Sequence, residues 1–374
     1  MSHETDDTRR LLRESAADFV ARSDIGAAVR AWRHKPEGFD AQRWSEMVQL
    51  GWVGLRAPEE AGGTGLGLED LVALLAETGR GVGPEPLSAV GVLAVRTLAA
   101  SAGGAQTLGG ACEGGRIPAV AWQEKPGALS AGECDTRAAR AGDDWILSGA
   151  KDFVHGAAQA DVFVVSARAP GGVALFELRR NEPGLTVETR FFTDGTTCHR
   201  LVLRDVRVPA SACIAAPGEG EEALDAALEE TRIAVSAEML GLARQALEMT
   251  LDYLRQRKQF GKAIGSFQAL QHRAVDLYVT TQIMQSAVDR AARTFEAADA
   301  RERALIASAC KARCSDGALA IAKEAIQLHG AIGYTDEHNI GLYVRRALVL
   351  ASWLGNGAQH RKRFAALSPA LDLV

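Results

Sequence analysis

Apolar residues return every three or four positions from about residue 7 to 117, as in Trp44, Met47, Val48 and Leu50 and again in Leu71, Leu74 and Leu75. That period predicts amphipathic helices. The stretch 50–67, rich in glycine around Pro58, reads as a loop leading into a helix over 68–81. Between about 118 and 214 the pattern shortens to runs rich in valine and phenylalanine, at 145–147, 162–165, 173–176 and 201–203. Turn clusters bound them, which predicts a small antiparallel β domain, a barrel or sandwich. From about 219 the helical period resumes over 224–257, 267–298, 301–329 and 339–354, predicting a four-helix bundle. The expected organisation is α+β: an N-terminal helical domain over 1–117, a middle β-barrel or sandwich domain over 118–218 and a C-terminal helical bundle over 219–374.

Composition narrows the partners. Hydrophobic residues make up 47% of the 374 and charged residues 24%, and 42 basic residues against 47 acidic ones leave a formal charge of −5. Neither nucleic acid nor an anionic membrane is a favoured partner, so any phosphate binding is local. The polar residues 1–10 and the lack of a long apolar run predict a cytoplasmic protein. Six scattered cysteines form no metal pattern, and Cys310 and Cys314 read as core residues on one helix face. Alanine and glycine are spread through the chain rather than clustered, which predicts close helix packing.

Candidate chemistry concentrates at 257–268, where Arg257, Gln259, Phe260, Gly261 and Gln268 set a cation, amides and a bare backbone side by side. An arginine fork clamps a pyrophosphate bidentately, and glycine lets the backbone turn or approach closely. On chemistry alone, a solvated helix end explains the run equally well. The segment also resembles R-x-Q-F-G-x-x-I-x-x-F-Q, a signature of the acyl-CoA dehydrogenase family. Residues 50–67 resemble that family's glycine-rich L-G-x-x-G-L-x-x-P-E loop. Gln327, Gly330 and Gly333 resemble Q-x-x-G-G-x-G-F/Y, with Ala331 in place of the second glycine.

The resemblance implies three domains, FAD as cofactor, an acyl-CoA substrate and electron-transfer flavoprotein as electron acceptor. In such enzymes a carboxylate removes the α-proton of the thioester while the β-hydride passes to the flavin, leaving trans-2-enoyl-CoA. It further implies that Arg257, Gln259, Phe260, Gln268, Gln327 and Gly330 contact the ADP half of FAD, usually that of a neighbouring subunit, so an oligomer is expected. Phe153 and His155, in a segment similar to G-x-K-x-W/F-I/V-S/T, fall beside the flavin ring, as does Gln123. Glu229 and Arg232 match D/E-x-x-R, which contacts the CoA arm. Without the resemblance, Glu229 and Glu230 read as acids that complement the dipole of a helix's first turn.

The catalytic carboxylate is the sharpest departure. Leu354 stands where the family's Y-E-G-T supplies its glutamate, and Thr231 stands at the alternative position. Glu238, inside the apolar run 233–241, is the candidate base, because an unpaired carboxylate there would be costly to bury and raised in pKa; pairing with a neighbouring charge is the alternative reading. The tail 342–361 resembles a bacterial branch that serves steroid and other bulky acyl-CoA degradation, in some cases as heteromers with the base in one subunit type. Two expectations follow: a homo-oligomeric dehydrogenase with a relocated base, or a companion subunit that completes the FAD site of a base-bearing paralogue.

Overall fold

The computed structural model describes residues 2–22 and 24–368, with side chains from residue 7 onward. Met1, Ser23 and 369–374, which include both ends of the expected segments, lie outside the described residues. The chain divides into two compact units. One gathers 1–31, 68–83 and 232–374; the other gathers 32–67 and 84–231.

The first unit is helical. It contains α1 (Ser2–Ala21), most of α2 (Ile25–Trp32), α4 (Leu68–Thr78), the greater part of α7 (Glu219–Gln256), α8 (Gln268–Phe295), α9 (Ala300–His329), α10 (Ile340–Ser352) and α11 (Gly357–Leu367). The four expected bundle helices fall close to α7–α10, and α11 adds a fifth. Close packing through small residues is explicit where α4 meets α7. A Cβ on Gly241 would lie 2.0 Å from the Ala76 carbonyl oxygen, and one on Gly79 would lie 2.3 Å from that of Glu238. Only glycine allows that approach. Cys310 and Cys314 are buried on α9. Among the described residues no helix is long and apolar enough to cross a membrane.

The second unit holds α3 (Ala41–Gln49), α5 (Val95–Ala99), α6 (Ala105–Cys112) and an eight-stranded sheet. Its strands are β1 (Pro118–Ala121), β2 (Arg137–Ala141), β3 (Asp144–Val154), β4 (Val162–Ala169), β5 (Gly172–Arg179), β6 (Leu185–Phe191), β7 (Thr197–Val208) and β8 (Cys213–Ala215). The four apolar runs lie in β3, β4, β5 and β7. Pairing runs β6-β7-β3-β2-β4-β5-β8, with β1 beside β4. It is antiparallel except at β4, which takes β1 and β2 in parallel, a mixture that short-range patterning does not distinguish. Phe163, Phe176, Leu147, Leu201 and Val206 form its core. A π-helical stretch over Ser88–Ala94, fully buried, carries no signature in the sequence.

Candidate functional site

At one end of the helical unit, α7 stops at Gln256 and the chain makes a two-stranded hairpin, β9 (Lys258–Gln259) against β10 (Lys262–Ala263). Phe260 and Gly261 form its turn with φ of 53° and 80°. Positive φ at both central residues is the geometry that matches strand twist in a two-residue hairpin. Glycine adopts it freely, whereas Phe260 is strained there and 90% exposed. Its ring meets Phe267 edge-on at 6.1 Å, and Lys262 lies 4.3 Å above Phe267.

The second motif reaches the same end. Gly330, with φ 66°, caps α9 just after Gln327, and its N–H donates back to the Gln327 carbonyl. Tyr253, one turn before Arg257, stacks on His329 at 4.5 Å, joining the ends of α7 and α9. Arg257, Gln259, Gln268 and Gln327 are exposed, and among the described residues their side chains make no hydrogen bond. Space is open around Gly261 and Gly330. Uncommitted donors beside bare backbone suit an anionic, acceptor-rich ligand such as the ADP half of FAD.

The interior of the same unit is organised in the opposite way. Leu354 is 1% exposed and sits at φ 60°, a left-handed conformation that costs a branched residue about 1–2 kcal/mol. Its carbonyl accepts from His360 Nε2 at 2.9 Å and from Arg232 Nε at 3.4 Å. Lys311, fully buried, donates to the carbonyls of Leu350, Ala351 and Gly355 at 2.9–3.1 Å and contacts Ser315 Oγ at 3.0 Å. Burial and the neighbouring Arg232 push its amine down to about 7. Three carbonyls at the negative end of α10 act the other way, and their number matches the three N–H bonds of an ammonium. Burial, with Arg232 and Lys311 nearby, pushes His360 down to about 3, so its imidazole is neutral. Arg232, Lys311 and His360 together hold the turn that carries Leu354.

At Glu238 the structure shows the paired alternative rather than an unpaired carboxylate. Arg346 on α10 donates to its Oε1 from Nη2 at 2.7 Å and from Nε at 3.2 Å. The apolar run hid this partner because Arg346 is 108 residues away. Glu238 is therefore an ion-pair partner of Arg346 rather than a lone buried acid.

Glu229 and Glu230 are also corrected. Helix α7 begins at Glu219, so Glu219, Glu221 and Glu222 occupy its first turn, while Glu229 and Glu230 lie well inside the helix and are buried. Within the second unit, Glu230 accepts from Arg56 Nε at 2.7 Å and from Arg96 Nε at 3.0 Å. Thr231 donates its hydroxyl to the Ala227 carbonyl at 2.6 Å. The expectation of a CoA-arm contact at Glu229 and Arg232 therefore meets two buried side chains, and Arg232 is 0% exposed.

In the second unit, β3 bulges between Lys151 and Val154, and Phe153 there takes φ 55°. A bulge of this kind re-aims a side chain. The N–H of Asp152 donates to the Gln123 carbonyl at 2.7 Å, which draws Gln123 beside Phe153, and His155 stacks on Phe192 at 4.8 Å. Below this surface lies a knot that the sequence did not single out. Lys151, buried, donates to Glu124 Oε1 at 2.6 Å and Ser166 Oγ at 2.9 Å. Glu124 also accepts the backbone N–H groups of Asp135 and Thr136. Burial alone would raise the Glu124 carboxyl, but Lys151 and these donors pull it down to about 2. The only signals were a lysine within a strand and a glutamate beside a turn.

Helices, then a mixed sheet, then a long-helix bundle define an acyl-CoA dehydrogenase-type fold, and the comparisons agree. The acyl-CoA dehydrogenase N-terminal, middle and C-terminal domain models match residues 6–106, 119–206 and 218–367. The acyl-CoA dehydrogenase IpdE2 of Mycobacterium tuberculosis is 31% identical over 345 residues, 91% of this chain and 90% of its own length. Among solved structures, a Tcur3481–Tcur3483 steroid ACAD is 30% identical at a TM-score of 0.87, covering 97% of this chain and 98% of its own. Butyryl-CoA dehydrogenase from Megasphaera elsdenii is 25% identical at 0.88, covering 96% and 97%. The chain belongs to the acyl-CoA dehydrogenase family, flavoprotein oxidoreductases acting on CH–CH groups.

Proposed function

We propose that this chain is the base-lacking companion subunit of a heteromeric acyl-CoA dehydrogenase, completing a partner's FAD site from its exposed bundle end. The assembly converts an acyl-CoA thioester to its trans-2-enoyl-CoA and passes electrons to electron-transfer flavoprotein. The observation that carries this reading is Leu354: buried, with its backbone held by Arg232 and His360, it stands at the base position with no group that takes a proton. Glu238 is committed to Arg346, and the Thr231 hydroxyl to its own helix. What the chain retains instead is the uncommitted donor set of Arg257, Gln259, Gln268 and Gln327.

FAD, when bound, supplies the hydride acceptor. Arg257 and the three glutamines would hold its pyrophosphate and adenosine, Phe260 would cover the exposed edge, and Gly330 would leave room for backbone contact. Phe153, His155 and Gln123 form a second, flavin-facing surface on the other unit. Likeness to a steroid ACAD favours a bulky acyl group.

The test is purification of the chain alone and after co-expression with a base-bearing paralogue. The lone chain should be colourless and inactive over a panel of acyl-CoAs, and the complex yellow and active. A lone chain that turns over substrate, and loses that activity in Glu238→Gln, would establish the homo-oligomeric enzyme instead.

A further inference from the structure

The segment 330–337, which carries Gly330 and follows Gln327, is closed at both ends by histidines that touch each other. His329 ends α9 and His338 precedes α10, with ring centroids 4.6 Å apart. Tyr253 from α7 completes the cluster, stacked on His329 and edge-on to His338 at 6.4 Å. Inside the closed segment, a Cβ on Gly333 would lie 2.8 Å from the Ile326 carbonyl oxygen and 3.2 Å from the His329 Cβ, so the turn is folded tightly back onto α9.

Hydrogen bonding specifies both rings as neutral. His329 is 2% exposed and its Nδ1 lies 2.7 Å from the Ala325 carbonyl, so Nδ1 carries the proton. Its Nε2 is buried and, among the described residues, has no hydrogen-bond partner. A proton added there would have no acceptor. His338 Nδ1 accepts the Ile340 N–H at 3.1 Å, capping the first turn of α10, so that nitrogen is bare. A proton on it would abolish the cap and set a charge at the positive end of a helix.

The surroundings offer little compensation. Arg30 from α2 donates to Asn339 Oδ1 at 2.8 Å and to the Asp336 carbonyl at 2.5 Å, and its charge opposes protonation of His338. Asp336, the nearby carboxylate on this segment, is already held by Arg30 at 3.5 Å and Arg345 at 3.9 Å. Glu337 is exposed. Burial lowers both histidines first, with Arg30 adding to the effect on His338 and His338 to that on His329.

We propose that His338 is a positioning residue for the ADP-facing turn, clasping 330–337 through its neutral ring against His329, so that acid opens the clasp and releases the cofactor. The inference rests on the assignment of Arg257 and Gln327 to the ADP half of FAD, because Tyr253 and His329 join those two motifs. The sign follows from linkage. Both histidines have lowered folded values, so the clasp's stability is complete above the ordinary histidine value of about 6.5 and is lost as pH falls below it.

The experiment compares the wild type with His338→Asn between pH 8 and pH 5. Asparagine accepts an N–H two residues on, as in an Asx turn, so the cap is kept and the titration removed. Two readouts are taken: the melting temperature of the chain without flavin, and FAD retained by the co-expressed complex after rapid dilution. The wild type should lose about 2–4 °C more than His338→Asn on acidification, and its complex should shed FAD several-fold faster at pH 5 while the variant's rate stays flat. His329→Asn, which keeps a donor for Ala325, should flatten the profile in part. Parallel profiles in wild type and both variants would overturn the clasp. A complex that never retains FAD would defeat the cofactor assignment, and the flavin-free melting profile still decides the clasp.

Discussion

Two regions of the helical unit use polar donor side chains to opposite ends. At the exposed end, the side chains of Arg257 and three glutamines make no hydrogen bond among the described residues, beside a hairpin whose turn forces Phe260 into a strained conformation. Around Leu354, Arg232, Lys311 and His360 are fully buried and donate to backbone carbonyls of the last turn of α10 and the turn after it. Donors left free at a surface await a ligand; donors committed to carbonyls hold architecture. Charge in a sequence therefore does not separate a binding residue from a structural one. Its partners do.

The largest expected effect breaks the interior. Lys311→Met leaves three buried carbonyls without their donor and should lower stability by about 3–5 kcal/mol, read as a shifted urea midpoint. If the midpoint held, the interior would not depend on that amine. Next, in the second unit, Glu124→Gln should cost about 3 kcal/mol at neutral pH. The depressed carboxyl supplies stability above its ordinary value of about 4.3, and that stability disappears as pH falls toward 2. Wild type and Glu124→Gln should therefore converge in acid melts, and curves that stay apart would contradict the pairing with Lys151.

Arg257→Gln sharpens the contrast from the other side. It should leave the lone chain within about 0.5 kcal/mol of wild type while cutting flavin retention in the complex about 10-fold. Retention that is unchanged, measured by absorbance after gel filtration, would detach Arg257 from the cofactor. The smallest effect is at Phe260. Phe260→Asn relieves the positive φ and should stabilise the hairpin by about 0.5 kcal/mol, yet lower flavin retention. A gain in both would mean that the exposed ring serves no ligand or partner.

The long helices and the four principal strands were legible because each repeats its own period over many residues. So was the family, whose motifs are continuous in sequence. The partner of Glu238 is not legible for the converse reason: its apolar neighbours describe the helix face, while Arg346 arrives from α10. Glu229 and Glu230 read as first-turn acids, yet α7 begins at Glu219, about ten residues before them, and the acids of its first turn are Glu219, Glu221 and Glu222. Lys311 was passed over as one charge among alanines and cysteines, although a lysine on an apolar face of a long helix was a signal available to find it. The π-helical stretch 88–94 and the histidine clasp had no such signal.

By itself the sequence determined which segments are helix and strand, which family they compose, and that leucine stands at 354 and threonine at 231. Those properties depend on local periodicity and on residue identity. The tertiary structure alone decided that Glu238 is paired, that Arg232 and Lys311 brace the turn of Leu354 and that His338 closes on His329. Each of those depends on a partner supplied by a distant part of the chain, and only folding sets the distance over which a charge or a hydrogen bond acts.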